Sequence, residues 1–165
     1  MPEVPLPPPQ PLAQPVAAVV SLNGFGSLLW PQRGLQPLGV PVLLMGGSLD
    51  LITPPLSEQL RLFLPQAHPR SRLVLLEGGS HFSPVRIRPG NQALFQLGEE
   101  LVGVDPGRMQ ALILSLSSDF LQGVSRPGLG GVLPQRRRLG GVTAYVVDRP
   151  RAQAWNAGIQ GPSLD

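Results

Sequence analysis

Cysteine and lysine are both absent from the 165 residues of this chain. Without cysteine the chain can form no disulfide, and a metal site built on thiolates is excluded. No apolar run approaches the roughly 20 residues that a membrane-spanning helix needs, so we expect no membrane segment. The length fits one domain of modest size around a single hydrophobic core.

The chain also carries little net charge. The formal net charge is only +3 at pH 7, although all 13 basic residues are arginine. Arginine stays protonated far above neutral pH, which explains a sequence pI near 11.0. A net charge this small does not indicate a nucleic-acid partner. The arginine run at 136–138 could contact phosphates or acidic lipid, but we favour a solvent-exposed charge run.

Proline and glycine are abundant instead, with 21 and 20 residues. Proline dominates residues 1–15, which we therefore expect to form a disordered segment without helix or strand. Residues 16–124 carry the pattern of one α/β domain. Residues 125–165 are rich in glycine and arginine, and they predict a C-terminal extension with a short strand and a helix.

Three apolar runs, at 16–22, 40–46 and 72–77, predict strands that are buried on both faces. Between the second and third runs, Thr53 and Pro54 predict the start of a helix that Thr53 caps and whose apolar face includes Leu56. Because apolar strands alternate with a helix, the pattern predicts an α/β fold with a parallel sheet and flanking helices.

The C-terminal third adds further elements. A helix is predicted from Pro106, because apolar residues recur at helical spacing. These residues are Met109, Leu112, Ile113, Leu116 and Phe120. Residues 142–147 predict a short strand, and residues 150–159 predict a weak helix.

Two glycine-rich loops directly follow the second and third predicted strands. The first loop ends in Asp50, and the second contains His81. The carboxyl ends of parallel strands meet at one edge of a sheet, where binding crevices form. We therefore expect a carboxylate oxygen of Asp50 within about 3.5 Å of a ring nitrogen of His81. An aspartate there would fix the tautomer of the histidine and free its other nitrogen to act as a base.

The segments VPVLLMGGSLDLITPP and SRLVLLEGGSHFSPV resemble the acid and histidine segments of α/β-hydrolases. The resemblance is to cutinase-like polyester hydrolases and dienelactone-hydrolase-like esterases, and AAVVSLNGF resembles the preceding strand of that family. It covers about residues 16–90. It implies the C-terminal part of an α/β-hydrolase fold, with an incomplete sheet that lacks the strands flanking residues 16–22.

The resemblance also implies roles for three residues. Asp50 would be the acid and His81 the base of a Ser-His-Asp triad, in the chain order of that family. Phe25 would line the acyl site, although ordinary packing explains this aromatic residue equally well. The implied activity is hydrolysis of a carboxylic ester, which requires no cofactor and no metal.

The serine of such a triad is missing from the sequence. The family places it in the motif G-x-S-x-G, and Ser27, Ser48 and Ser80 all lack this frame. Ser80 lies beside His81, but adjacent side chains diverge, so we favour a structural role. We therefore expect the C-terminal half of an esterase, which acts on an ester substrate only when an N-terminal half completes it.

Other interpretations remain open. Asp50 could cap a turn, and His81 could be an ordinary exposed loop histidine. His68, His81, Asp50 and Glu77 do not show metal-ligand spacing on one element, so we expect no metal site. The alternative function is a non-enzymatic remnant domain, acting as a protein-interaction module through its sheet edge or its proline-rich segment.

Overall fold

A five-stranded mixed sheet forms the centre of the computed structural model, which describes residues 14–26, 37–85, 106–126 and 133–160. The strands lie in the order β1-β2-β3-β5-β4 across the sheet. Their bounds are Val19–Leu22 for β1, Val42–Gly47 for β2, Arg72–Leu76 for β3, Arg136–Leu139 for β4 and Val142–Val147 for β5. The fold is therefore of the α/β class, as the sequence predicts.

The first three strands run parallel, with β1 beside β2 and β2 beside β3. The parallel prediction fails beyond β3, because β5 runs antiparallel to both β3 and β4. The turn between β4 and β5 accounts for the pairing of these two strands, because Gly140 and Gly141 have φ values of 59° and 94° there. Two consecutive residues with positive φ form the tight turn of a hairpin, which makes its strands antiparallel.

Helices cover both faces of the sheet. The long helix α2, Pro106–Ser125, packs on one face, and its five predicted apolar residues are all buried. The short helix α1, Gln59–Phe63, and the helix α3, Arg149–Gln160, lie on the other face. Strand β2 is buried along its whole length, and its side chains alternate between two core clusters, one on each face of the sheet.

Helix α1 begins later than the sequence predicts. It starts at Gln59, not at Thr53, and Leu56 is 50% exposed and absent from the apolar face. The two prolines that follow Thr53 explain the delay. Neither Pro54 nor Pro55 can donate a backbone hydrogen bond, and a proline disfavours the helical conformation of the residue before it. The first regular turn therefore forms only after both prolines.

The arginine run lies in strand β4 and is not simply solvated. Arg137 lies 3.0 Å from Asp119 of α2 and donates to the hydroxyl of Ser115 at 2.9 Å. The guanidinium of Arg136 lies 5.7 Å from the centre of the Tyr145 ring. These contacts join the edge of the sheet to the helix that covers it.

We expect the ion pair between Arg137 and Asp119 to contribute little to stability. Both side chains are about one-third exposed, at 33% and 36%, so water screens their attraction. A double-mutant cycle with Arg137→Gln and Asp119→Asn should give a coupling free energy of about 0.2–1 kcal/mol in chemical denaturation. A coupling well above that range would show that the pair behaves as a buried one.

Several sequence predictions lie partly or wholly outside the described residues. Of the proline-rich segment 1–15, only Gln14 and Pro15 are described, and both are exposed and outside regular structure. The segment 125–165 contributes β4, β5 and α3 to the same sheet and core, while its residues 127–132 and 161–165 lie outside the description. None of the helices in the described ranges is long and apolar enough to cross a membrane.

Candidate active site

Asp50 follows strand β2 and is buried, with a side chain that has no exposed surface. Its two carboxylate oxygens have different partners. Oδ1 accepts the backbone N–H groups of Ile52 at 3.0 Å and Thr53 at 2.7 Å. Oδ2 accepts the hydroxyl of Thr53 at 2.8 Å and lies 3.1 Å from Nδ1 of His81. One oxygen therefore stabilises the turn, and the other faces the histidine.

His81 lies in the loop after β3, and its side chain is 24% exposed. The distance from Nδ1 to Asp50 Oδ2, 3.1 Å, lies inside the limit expected from the sequence. We assign the proton between the two groups to Nδ1, because an ionised carboxylate can only accept hydrogen bonds. Within the described ranges Nε2 makes no hydrogen bond. This nitrogen is therefore left with a lone pair, as a general base requires.

The two loops come together because glycines lie at their contact. A Cβ atom on Gly47 would lie 2.2 Å from the carbonyl oxygen of Gly79, so no larger residue fits there. The N–H of Leu49 donates to that same carbonyl oxygen at 2.8 Å. Gly78 has a φ of 73°, in the left-handed region that favours glycine. The close approach of the two loops sets the distance between acid and histidine.

The loop after β1 supports the histidine from a third side. Asn23 adopts a φ of 48°, which asparagine tolerates better than most residues, and its Nδ2 donates to the carbonyl oxygen of His81 at 2.8 Å. The N–H of Gly26 donates to the carboxylate of Glu58 at 2.7 Å and holds this loop beside the start of α1. Three consecutive parallel strands thus each contribute a loop to the site.

Aromatic rings flank the imidazole. The Phe25 ring centre lies 6.1 Å from that of His81, at an interplanar angle of 57°. The Phe82 ring meets the imidazole edge-on, with centres 5.6 Å apart. Phe25 is 37% exposed, so it stands beside the histidine at the surface and is not packed in the core. The structure therefore brings together all three residues that the sequence singled out.

Sequence reasoning missed the contributions of Thr53 and Asn23. Thr53 fitted a helix cap, yet its hydroxyl contacts Asp50 and lies 3.1 Å from Nδ1 of His81. Asn23 resembled an ordinary turn residue. The signal for Thr53 was its spacing, because a threonine three residues after an aspartate can close a turn with it. Nothing in the sequence identified the acceptor of the Asn23 amide.

The serines near the site do not contact the histidine. The Ser48 hydroxyl accepts the N–H of Gly78 at 2.9 Å. Ser80 is buried, and its hydroxyl pairs with Ser83 at 3.4 Å and accepts the N–H of Phe82 at 3.2 Å. Ser48 therefore joins the loop after β2 to the loop after β3, whereas Ser80 stabilises its own loop. Ser27 lies outside the described residues.

The described ranges hold no group of three or more His, Asp or Glu side chains that could bind a metal ion. His68 is not part of such a group, and its Nδ1 accepts the N–H of Arg70 within its own turn at 3.2 Å. The chemistry of the site is that of a hydrogen-bonded acid–histidine pair beside an aromatic side chain.

Comparison with known proteins gives no relative: neither a protein-family model nor a curated protein matches this chain.

Proposed function

We propose that this chain supplies the acid and the base of a serine carboxylic-ester hydrolase, with Asp50 and His81 in those roles. The contact between Asp50 Oδ2 and His81 Nδ1, at 3.1 Å, carries the proposal. The carboxylate is buried, and the far ring nitrogen is directed away from it. This is the arrangement by which an aspartate orients a catalytic imidazole and stabilises the imidazolium.

The topology supports the same proposal. The acid follows β2 and the histidine follows β3, and these strands are parallel neighbours. This order and spacing agree with the C-terminal half of an α/β-hydrolase fold. Strand β1 lies at the edge of the sheet and pairs with β2 alone in the described part of the chain. A further parallel strand on that edge would bring its own carboxyl end to the site.

The nucleophile would come from a separate segment that carries a strand and a G-x-S-x-G turn. Its serine oxygen would attack the ester carbonyl while His81 Nε2 takes the hydroxyl proton. When the C–O bond of the tetrahedral adduct breaks, Nε2 returns that proton to the leaving alkoxide. Water then repeats the two steps on the acyl-enzyme and releases the carboxylic acid.

An apolar ester is the substrate class that the surroundings favour. The loops that follow β1 and β2 expose large apolar side chains beside the polar pair. These are Phe25, Leu49, Leu51, Ile52 and Leu56, with exposed fractions of 37%, 44%, 78%, 45% and 50%. Exposed apolar surface around a few polar groups is typical of ligand sites. An acyl or alcohol group with hydrocarbon character would cover this surface.

The test compares hydrolysis of p-nitrophenyl butyrate by this chain and by the completed enzyme. The completed enzyme is the chain fused to the segment encoded in frame ahead of it, where that segment carries G-x-S-x-G. We expect no turnover above the background rate from the chain alone, because no serine of the sequence stands in a G-x-S-x-G frame and no serine hydroxyl in the described ranges is bonded to His81. We expect turnover from the completed enzyme, and a completed protein without esterase activity would contradict the proposal.

The alternative is a non-enzymatic interaction module. It rests on the outer edge of β1, which has no strand partner other than β2 among the described residues. Leu22 at the end of the strand and Val16 just ahead of it are 36% and 44% exposed. Exposed strand edges accept a strand from another chain. If the completed protein hydrolyses no ester yet the chain binds an extended peptide along β1, this alternative is the better one.

A further inference from the structure

We infer that Thr53 is a positioning residue for the Asp50–His81 pair, an inference that rests on the proposed function. Its hydroxyl lies 2.8 Å from Asp50 Oδ2 and 3.1 Å from His81 Nδ1. The same two atoms of Asp50 and His81 are 3.1 Å apart. The three polar atoms therefore form a closed triangle, with each atom within hydrogen-bond distance of the other two.

The charge of the carboxylate and the three distances favour one assignment of the protons in this triangle. A threonine hydroxyl has a single proton to donate, and a carboxylate oxygen has none. The short distance to Oδ2 and the charge of the carboxylate direct the hydroxyl proton to Asp50. The carbonyl oxygen of Asn23, at 3.3 Å, is the weaker competing acceptor. The Thr53 oxygen then keeps its lone pairs for the Nδ1 proton of His81.

The Nδ1 proton is therefore shared between two acceptors, Oδ2 of Asp50 and Oγ1 of Thr53. Two acceptors on one side of the ring hold its plane more firmly than one does. The other tautomer is less favourable, because a proton on Nε2 would leave the Nδ1 lone pair facing the charged Oδ2, and the Thr53 hydroxyl could donate to Nδ1 only by giving up its bond to Asp50. Thr53 thus acts on the base through the tautomer and orientation of the imidazole, and makes no contact with a reacting atom.

The threonine is held in place by its surroundings. It has no exposed surface, and its own N–H is bound to Oδ1 of Asp50 at 2.7 Å. A β-branched side chain has few allowed rotamers, so the hydroxyl has little freedom to leave the triangle. Valine has nearly the same shape and keeps the backbone bond, but it lacks the hydroxyl. Thr53→Val therefore tests the hydroxyl with the least change of shape, and Thr53→Ser is the control that keeps a hydroxyl.

The first readout needs no activity. In the ¹⁵N-histidine spectrum of this chain, His81→Gln identifies which of the two imidazoles is His81. We expect the proton of His81 on Nδ1, in slow exchange with water. In Thr53→Val we expect that proton to exchange about 5- to 10-fold faster, because it loses the neutral hydroxyl acceptor and keeps only the carboxylate. Thr53→Ser should stay within about threefold of the unsubstituted chain.

The second readout is catalysis by the completed enzyme. We expect Thr53→Val to lower kcat about 10- to 100-fold with little change in KM, and Thr53→Ser to restore most of the loss. If Thr53→Val unfolds the chain, Thr53→Ala, which cannot overpack the site, takes its place. Unchanged exchange and unchanged kcat in a folded variant without the hydroxyl would overturn the inference.

The two hypotheses fail in different ways. If His81→Ala leaves ester hydrolysis intact, the proposed function is wrong, and Thr53 then has no catalytic base to position. If His81→Ala abolishes hydrolysis but Thr53→Val matches the unsubstituted protein in both readouts, the catalytic pair stands and the role of Thr53 is wrong.

Discussion

His81→Ala is expected to lower kcat of the completed enzyme for p-nitrophenyl butyrate by about 10⁶-fold. Loss of the catalytic histidine costs about this much in a serine protease, because the serine then has no base to take its proton. Two features of His81 support the proposal that it is that base. Nδ1 is engaged by a buried carboxylate at 3.1 Å, and Nε2 is free of described partners. Initial rates at saturating substrate measure the effect.

The second histidine of the chain provides a matched control. His68 is bound within its own turn to Arg70, and it has no described contact with the site. His68→Ala should therefore leave kcat within about twofold, since surface substitutions away from special features have small effects. Equal losses in both variants would indicate general damage to the fold. A fully active His81→Ala enzyme would contradict the proposed mechanism.

Gly47→Ala is expected to lower the free energy of unfolding by about 3 kcal/mol or more. The added Cβ would lie 2.2 Å from the carbonyl oxygen and 2.3 Å from the carbonyl carbon of Gly79. These are backbone atoms, so a side-chain rotation cannot relieve the clash. The cost should therefore lie at the upper end of that for overpacking. Chemical denaturation measures the loss directly.

The same substitution should separate the acid from the base. Because the contact of Gly47 with Gly79 sets the approach of the two loops, relief of the clash moves one loop away from the other. Gly158→Ala, at a helical glycine with no atom within 4 Å of the added Cβ, is the control. It should raise stability by about 0.5–1 kcal/mol, because alanine favours a helix. A Gly47→Ala chain as stable as the unsubstituted one would contradict the packing described above.

The sequence predicts the elements whose apolar pattern is strong. Strands β2, β3 and β5 begin and end within two residues of their predicted bounds, and helix α2 begins at Pro106 as predicted. The meeting of Asp50 with His81 could also be predicted, since both residues follow neighbouring parallel strands. The apolar pattern predicts which residues are buried, and the alternation of strands with a helix predicts which strands run parallel.

The remaining features depend on contacts that a linear pattern does not record. Strand β4 is built from arginines, which were assigned to a solvated run, and it forms because the turn at 140–141 folds it back on β5. The role of Asn23 depends on a carbonyl oxygen 58 positions away in the chain. Each of these is decided by a tertiary partner.

The two carboxylate oxygens of Asp50 have different partners, and this determines what a substitution at position 50 would change. Asparagine would keep one oxygen, which can still accept the N–H groups of Ile52 and Thr53. Its amide nitrogen would then face His81 and donate to Nδ1, so that the ring proton moves to Nε2. Such a protein would keep its turn and its fold while its histidine held the tautomer that cannot accept a proton. At this position a single substitution would therefore change the tautomer of the histidine without removing the turn that the other oxygen stabilises.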